Sequence, residues 1–352
     1  MNAPSKIDCH GHVSAPAELY AYKAGLLSHR GAHGRGRPHI SDDQIAAALR
    51  APNPSFGNVS HLDHLDEAGI DLQLISPRPF QMMHSETPAK LVEWFTESTN
   101  DVIARVCASE PGRFQGIAGL PQSMELAPET WAAELRRCVT DLGFVGAVLN
   151  PDPYEGTAVP PALGDRFWYP LYEVLCELDV PAFIHSAACR PPARESYSLH
   201  FIQEETQAVI GLLQSQVFQD FPDLKIVVSH GGGAVPYQRG RFRPGPIRRP
   251  GAASFDEQLR KLWYDTCLYT QDSIELLLRS VGVDRCLFGT EKPGTGSVRD
   301  PETGRWIDDI HHLVDAIDWL DDHQRQALYR DNTVELFKLD LAGADSEGAT
   351  RG

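Results

Sequence analysis

The feature that most constrains this chain is a recurrence. Eight short runs of apolar, β-rich residues appear in turn, each closed by polar, Gly or Pro residues and each followed by a stretch with helical spacing. They lie at residues 6–10, 71–76, 114–120, 145–149, 181–185, 225–229, 262–265 and 285–288. Most are apolar nearly throughout, which marks a strand covered on both faces, whereas strands of an antiparallel hairpin alternate. Alternation of β and α segments builds a parallel sheet, and eight units of it predict an α/β chain folded as a (β/α)8 TIM barrel. The 352 residues, 42% of them hydrophobic, suffice for one large barrel, so the expectation is a single domain over residues 1–341. Helices are expected at 62–68, 88–108, 127–142, 167–178, 203–220, 273–280, 307–319 and 322–338. In the second of these, Leu91, Val92, Phe95, Val102, Ile103 and Val106 recur at helical spacing. Residues 24–58, 150–164 and 289–304, rich in Gly, Pro, Asp or Asn, read as long loops. In a βα barrel, insertions after strands gather at the face where catalysis occurs. Residues 342–352 are small and polar and are expected to be a disordered tail.

Charge and cysteine usage narrow the function classes. Asp and Glu number 48 against 32 Lys and Arg, a net charge of −16, which repels phosphate backbones and anionic lipid and argues against a nucleic acid or membrane partner. A small anionic substrate remains compatible, because a pocket is governed by its local field, and Arg239, Arg241 and Arg243 form a local basic exception. The seven cysteines are odd in number and never form C-x-x-C, so reduced thiols and a cytoplasmic location are expected. No run approaches the roughly 20 apolar residues of a membrane span, and the N-terminus leaves no room for an apolar signal core.

Chemistry enters at strand ends. His10 and His12 flank Gly11 at the end of the first run, and alternation along a strand projects residues i and i+2 to one side. Taken alone this pair is weak in a chain with 14 histidines. His185 ends the fifth run, His230 follows the sixth and Glu291 follows the eighth, so candidate donors recur at the same end of four strands. A histidine that only satisfies a core hydrogen bond has no reason to recur there. Imidazole plus carboxylate is the donor set of Zn2+, and also of Mn2+ or Fe2+, with a position left open for water or substrate.

This order of donors resembles the amidohydrolase superfamily over nearly the whole chain. Within it, Ile7-Asp8-Cys9-His10-Gly11-His12, Ile75-Ser76-Pro77-Arg78, Leu149-Asn150-Pro151-Asp152-Pro153, the block from His230 to Tyr237 with Gly240-Arg241-Phe242, and Asp300-Pro301-Glu302-Thr303-Gly304 look like the 4-oxalomesaconate hydratase branch, beside the aminocarboxymuconate semialdehyde and resorcylate decarboxylases. The resemblance implies an amidohydrolase-type barrel with one zinc ion on His10, His12, His185 and Glu291, with His230 and Glu291 catalytic. It implies that Arg78 and Arg241 contact substrate carboxylates, a task suited to the planar guanidinium fork. His200 is a further candidate for the pocket.

The activity implied is addition of water to a polycarboxylated oxo or enol acid from aromatic-ring catabolism. Two segments depart from that branch. Gln44 and two prolines stand at 41–58, where the hydratases have acidic catalytic candidates, and the loop 186–195 is rebuilt with prolines and arginines. Non-oxidative decarboxylation is therefore an alternative. So is a subunit of a metal-dependent oxygenase paired with a homologous chain. A homo-oligomer, or a hetero-oligomer with such a chain, is expected.

Overall fold

The computed structural model describes residues 6–191, 194–195 and 197–341; the tail at 342–352 lies outside the described residues. Eight strands run in chain order: β1 (Ile7–His12), β2 (Leu72–Ser76), β3 (Phe114–Gly116), β4 (Ala147–Leu149), β5 (Ala182–Ile184), β6 (Ile226–Val228), β7 (Trp263–Asp265) and β8 (Cys286–Leu287). Each falls in one of the eight expected runs, with β1 extending to His12. All neighbouring pairs are parallel, in the orders β1-β2-β3 and β4-β5-β6-β7-β8.

Two seams close these sheets into a barrel. At one, Ala118 N–H donates to Gly146 O and Val148 N–H donates to Ala118 O, both at 2.8 Å. At the other, Cys9 N–H donates to Phe288 O and Glu291 N–H donates to His10 O, again at 2.8 Å. Closure leaves no open sheet edge, and the chain is a (β/α)8 barrel of the α/β class. The second seam also ties the backbone of one candidate ligand to another.

Cys9, Leu74, Ile117, Phe183, Val227 and Leu287 form a compact apolar cluster, joined by Leu336 and Phe337 of the closing helix. A larger apolar layer fills the space among the strands and helices, from Leu19 to Tyr329. Packing of this kind makes the barrel interior a core, not a pore. Functional polar groups are left to the C-terminal strand ends.

Three local expectations are corrected. Residues 24–58 contain a helix, Asp42–Arg50, and the end of another, Ala17–His29. Ser41 Oγ accepts from Gln44 N–H at 3.2 Å while Gln44 Oε1 accepts from Ser41 N–H at 2.7 Å. This reciprocal cap starts a helix that buries Ile45 and Leu49. The helix expected at 203–220 begins earlier and breaks, giving Ser198–Leu213 and Val217–Asp220. Of the run at 307–319 only His311–Asp315 is α-helical. A further helix, Val235–Phe242, leads away from His230, with Pro236 in its first turn, where the missing N–H costs nothing.

Candidate active site

Five side chains converge at the C-terminal ends of the strands. His10 and His12 come from β1, His185 directly follows β5, His230 lies two residues beyond β6, and Glu291 lies four beyond β8. The His10 and His12 rings are 5.1 Å apart, and His185 is 5.0 Å from His10, 5.1 Å from His12 and 5.0 Å from His230. Gly11 between the pair has a specific cause: a Cβ there would meet Gln73 Cδ at 2.3 Å. Only glycine lets β1 lie this close to β2 without displacing Gln73.

Each imidazole is anchored through Nδ1, which leaves Nε2 for the site. His10 Nδ1 meets Asp265 Oδ2 at 2.7 Å, His12 Nδ1 meets Ser76 Oγ at 2.9 Å, and His185 Nδ1 meets the Ser186 carbonyl at 2.7 Å. A carbonyl or carboxylate partner requires Nδ1 to carry the proton, so in the neutral ring Nε2 of His10 and His185 presents a lone pair inward. The Nε2 atoms of His10, His12 and His185 are buried without a hydrogen-bond partner. Glu291 faces them, with Oε1 3.6 Å from His12 Nε2 and 3.9 Å from His185 Nε2. Three buried lone-pair nitrogens around one carboxylate are costly unless an electrophile satisfies them. The residues therefore fit a divalent cation.

His230 differs from the other three. Its Nδ1 is held by both oxygens of Glu205, at 2.9 Å each, and its Nε2 is 3.9 Å from Glu291 Oε2. His10, His185, His230 and Glu291 offer ligand atoms within 4.8 Å of one another, a grouping that omits His12. The unsatisfied nitrogens instead select His10, His12 and His185, and the charges around His230 favour the same set. Burial lowers the His230 pKa, but the charge and hydrogen bond of Glu205, with Glu291 and Asp265, raise it to about 10. Its two carboxylate neighbours thus favour a proton on His230 over a bare nitrogen. Burial pushes His12 down to about 4 and His185 well below the usual range. Burial also opposes ionisation of Glu291, yet the closeness of His12 and the charge of His230 hold it well below the usual carboxylate range.

Two residues of the site sit in the left-handed region, His230 at φ 51° and Glu291 at φ 61°. Such strain persists only where the surroundings over-determine it. Around Glu291, Asp8 accepts from Thr290 N–H and Oγ1 and from Gln73 Nε2 at 2.6–2.9 Å. On its other side, fully buried Lys292 pairs with fully buried Asp308 at 2.7 Å. Tyr269 Oη donates to Glu291 Oε2 at 3.2 Å.

Beside the cluster opens a cavity of about 410 Å3, lined by Ser14, Glu18, Tyr20, Gln44, Phe56 and Arg78 among others. Arg78 follows β2. Its guanidinium lies 4.8 Å from the centre of the Phe56 ring and donates to Pro293 O at 3.3 Å. Burial lowers its pKa, opposed by Tyr20, Glu291 and Tyr197, so the guanidinium feels the Glu291 carboxylate. Gln44 Nε2 donates to Glu18 Oε1 at 2.5 Å. The wall thus keeps an acid beside Gln44, supplied by the helix Ala17–His29.

The remaining two candidates are not in the cluster. His200 is buried in the first turn of the helix Ser198–Leu213, grouped with Asp152 and Glu204. Arg241 is exposed in the last turn of Val235–Phe242. It has no side-chain hydrogen bond or ion pair among the described residues, and the cavity lining does not include it. Asp265, Glu205, Tyr269 and Glu18 were not singled out from sequence. Asp265 ends β7 at the same barrel face as the histidines, so the strand-end rule reaches it. Glu205 and Glu18 sit on helices, where an acid carries no such signal.

The family model described as Amidohydrolase matches residues 7–339. The chain is 38% identical over 344 residues to the 2-keto-4-carboxy-3-hexenedioate hydratase of Sphingobium sp. (strain NBRC 103272 / SYK-6), covering 94% of this chain and 95% of that one. Among solved structures, the 4-oxalomesaconate hydratase of Rhodopseudomonas palustris aligns with a TM-score of 0.83 at 33% identity, over 96% of this chain and 97% of that one. The manganese-bound dihydroxybenzoic acid decarboxylase of Polaromonas sp. JS666 aligns at 0.69 with 25% identity, over 96% and 98%. Barrel, strand-end donors and these likenesses agree, and the chain belongs to the amidohydrolase family.

Proposed function

We propose that this chain is a metal-dependent hydro-lyase that adds water to a polycarboxylated oxo or enol acid of the 4-oxalomesaconate type. The observation that carries the reading is the juxtaposition of the unsatisfied Nε2 atoms of His10, His12 and His185 and the carboxylate of Glu291 with a cavity walled by the half-buried Arg78. The 38% identity to a hydratase over nearly the whole chain supports the same reaction class. His10, His12, His185 and Glu291 would hold the ion. Zn2+ suits this donor set, with Mn2+ or Fe2+ as alternatives. When bound, such an ion supplies Lewis acidity and makes water acidic enough to ionise near neutral pH.

Arg78 binds and orients a substrate carboxylate, and its charge opposes the negative charge that builds on the conjugated acid as water adds. His230, kept protonated by Glu205, holds a proton at Nε2 on the side of Glu291 and delivers it to the carbon adjacent to the carbonyl. Glu18, joined to Gln44 in the cavity wall, replaces the acidic character that the segment at 41–58 lacks. Asp265 and Glu205 are positioning residues that fix the rings of His10 and His230. Among the described residues no helix is long and apolar enough to cross a membrane. A cytoplasmic location and a homo-oligomer complete the proposal, and a hetero-oligomer with a homologous chain is the alternative assembly.

The test is to add the metal-loaded protein to 4-oxalomesaconate and follow its conjugated absorbance, with dihydroxybenzoates supplied in parallel. Loss of absorbance with gain of one water by mass supports the hydratase. Release of CO2 from a dihydroxybenzoate with 4-oxalomesaconate untouched replaces it with a decarboxylase.

A further inference from the structure

Outside the cluster just described, His200 is the most conspicuous polar group of the molecule. It is 2% exposed, and both of its ring nitrogens are buried without a hydrogen-bond partner. An imidazole always carries at least one N–H and, when neutral, one lone pair, so leaving both unmet is costly. Glu204 follows one turn later on the same face of the helix Ser198–Leu213, with Oε1 4.0 Å from His200 Nδ1. Asp152, 4% exposed in the segment after β4, completes a triad whose ligand atoms lie within 4.8 Å of one another.

The Asp152 carboxylate is oriented before any ligand arrives. Oδ1 accepts from Tyr154 N–H at 3.0 Å and Oδ2 from Gly156 N–H at 2.6 Å. Two carboxylates this close in a buried setting repel one another, and burial raises the pKa of both. The cation facing them from within the chain is Arg194, on the loop after β5, whose charge acts on Asp152, Glu204 and His200. Arg194 is exposed, and a guanidinium has no lone pair to accept from His200. It offsets the carboxylates but leaves the imidazole unsatisfied.

We propose that Asp152, His200 and Glu204 form a second divalent-cation site, distinct from the catalytic one. One imidazole and two carboxylates suit a borderline ion such as Zn2+, Mn2+ or Co2+, and a dipositive ion answers both the mutual repulsion of the acids and the unmet nitrogen of His200. Its position gives it work. It joins the segment after β4 to the helix after β5, and that helix carries Phe201, stacked on His230 at 6.2 Å, and Glu205, which holds His230 Nδ1. A cation here clamps the helix that positions His230.

The test uses Co2+ as a spectroscopic probe on the full chain after removal of all metal. The wild type is expected to take up two equivalents, His200→Ala one, and the isosteric pair Asp152→Asn and Glu204→Gln one each. The visible spectrum of the remaining ion should be unchanged in the variants, and a rise in Tm on addition of the second equivalent should be lost in all three. His10→Ala should lose the other ion and keep this one, so a failure of the catalytic site is read separately. Should His200→Ala fail to fold, the isosteric variants decide. A wild type that stops at one equivalent overturns the proposal and leaves Arg194 as the sole counter-charge, as does an Asp152→Asn or Glu204→Gln protein that still takes up two.

Discussion

Removing Asp308 tests whether the strained backbone at Glu291 is held by a buried ion pair. Lys292 Nζ and Asp308 Oδ1 are 2.7 Å apart, both residues are fully buried, and the second Asp308 oxygen accepts from Ser297. At an effective dielectric of about 20 the Coulomb attraction at this distance is about 6 kcal/mol. Desolvation of two ions, several kcal/mol each, cancels most of it. The intact pair thus adds little net stability, whereas half a pair is expensive. Asp308→Ala leaves an ammonium buried against the Trp306 ring, 5.4 Å away, and should cost about 3–5 kcal/mol in urea unfolding. The double variant Lys292→Met with Asp308→Leu should lie within about 1 kcal/mol of wild type or above it. Because Lys292 adjoins Glu291, Asp308→Ala should also weaken metal binding measured by competition with a chelator, although no ligand is altered. A loss below about 1 kcal/mol, or a double variant as unstable as the single one, refutes the reasoning.

Three further outcomes follow, two of them from the site. Arg78→Ala should lower kcat/KM by about 10- to 150-fold, the loss of a charge-assisted hydrogen bond worth about 1.5–3 kcal/mol; unchanged kcat/KM in steady-state assays would remove Arg78 from substrate binding. Asp265→Ala frees His10 Nδ1 and should weaken metal affinity about 10- to 100-fold, read by titration with a fluorescent chelator, while unaltered affinity denies Asp265 its orienting role. The third concerns acid. Burial holds His84 at about 4 in the folded protein, against about 6.5 unfolded. The unfolded chain therefore takes up the proton first. The stability contributed is present above pH 6.5 and lost as pH falls toward 4, by up to about 3 kcal/mol. His84→Gln should flatten the dependence of Tm on pH across that window, and an identical slope in the variant would contradict the assignment.

How much of this was legible before folding depends on the reach of each signal. Strand number, order and the donors His10, His12, His185, His230 and Glu291 follow from local rules: a buried strand reads as an apolar run, and a parallel barrel sends every strand end to one face. The same rules miss groups supplied by other elements. Asp265 was within reach, because it ends β7 on that face. Glu205 was not, because its place beneath His230 depends on how a helix packs against the next βα turn. Arg241 shows the complementary limit. Its neighbours in the sequence match a family motif, yet the helix Val235–Phe242 carries it into solvent.

Residues 41–58 show why a missing motif is weaker information than a present one. The lack of acidic candidates at 41–58 suggested altered chemistry, but the Ser41–Gln44 cap builds a helix whose Gln44 reaches Glu18, and a carboxylate lines the cavity from another element. A chain has several routes to put one group at a given place. The loop after β5 follows the same logic, since the rebuilt segment sits beside Asp152, His200 and Glu204. Departures from a family pattern in such loops are best read as rearranged supply of charge to a fixed metal and arginine frame, which is why variants of Glu18 and Asp152 discriminate more sharply than further changes to the histidines.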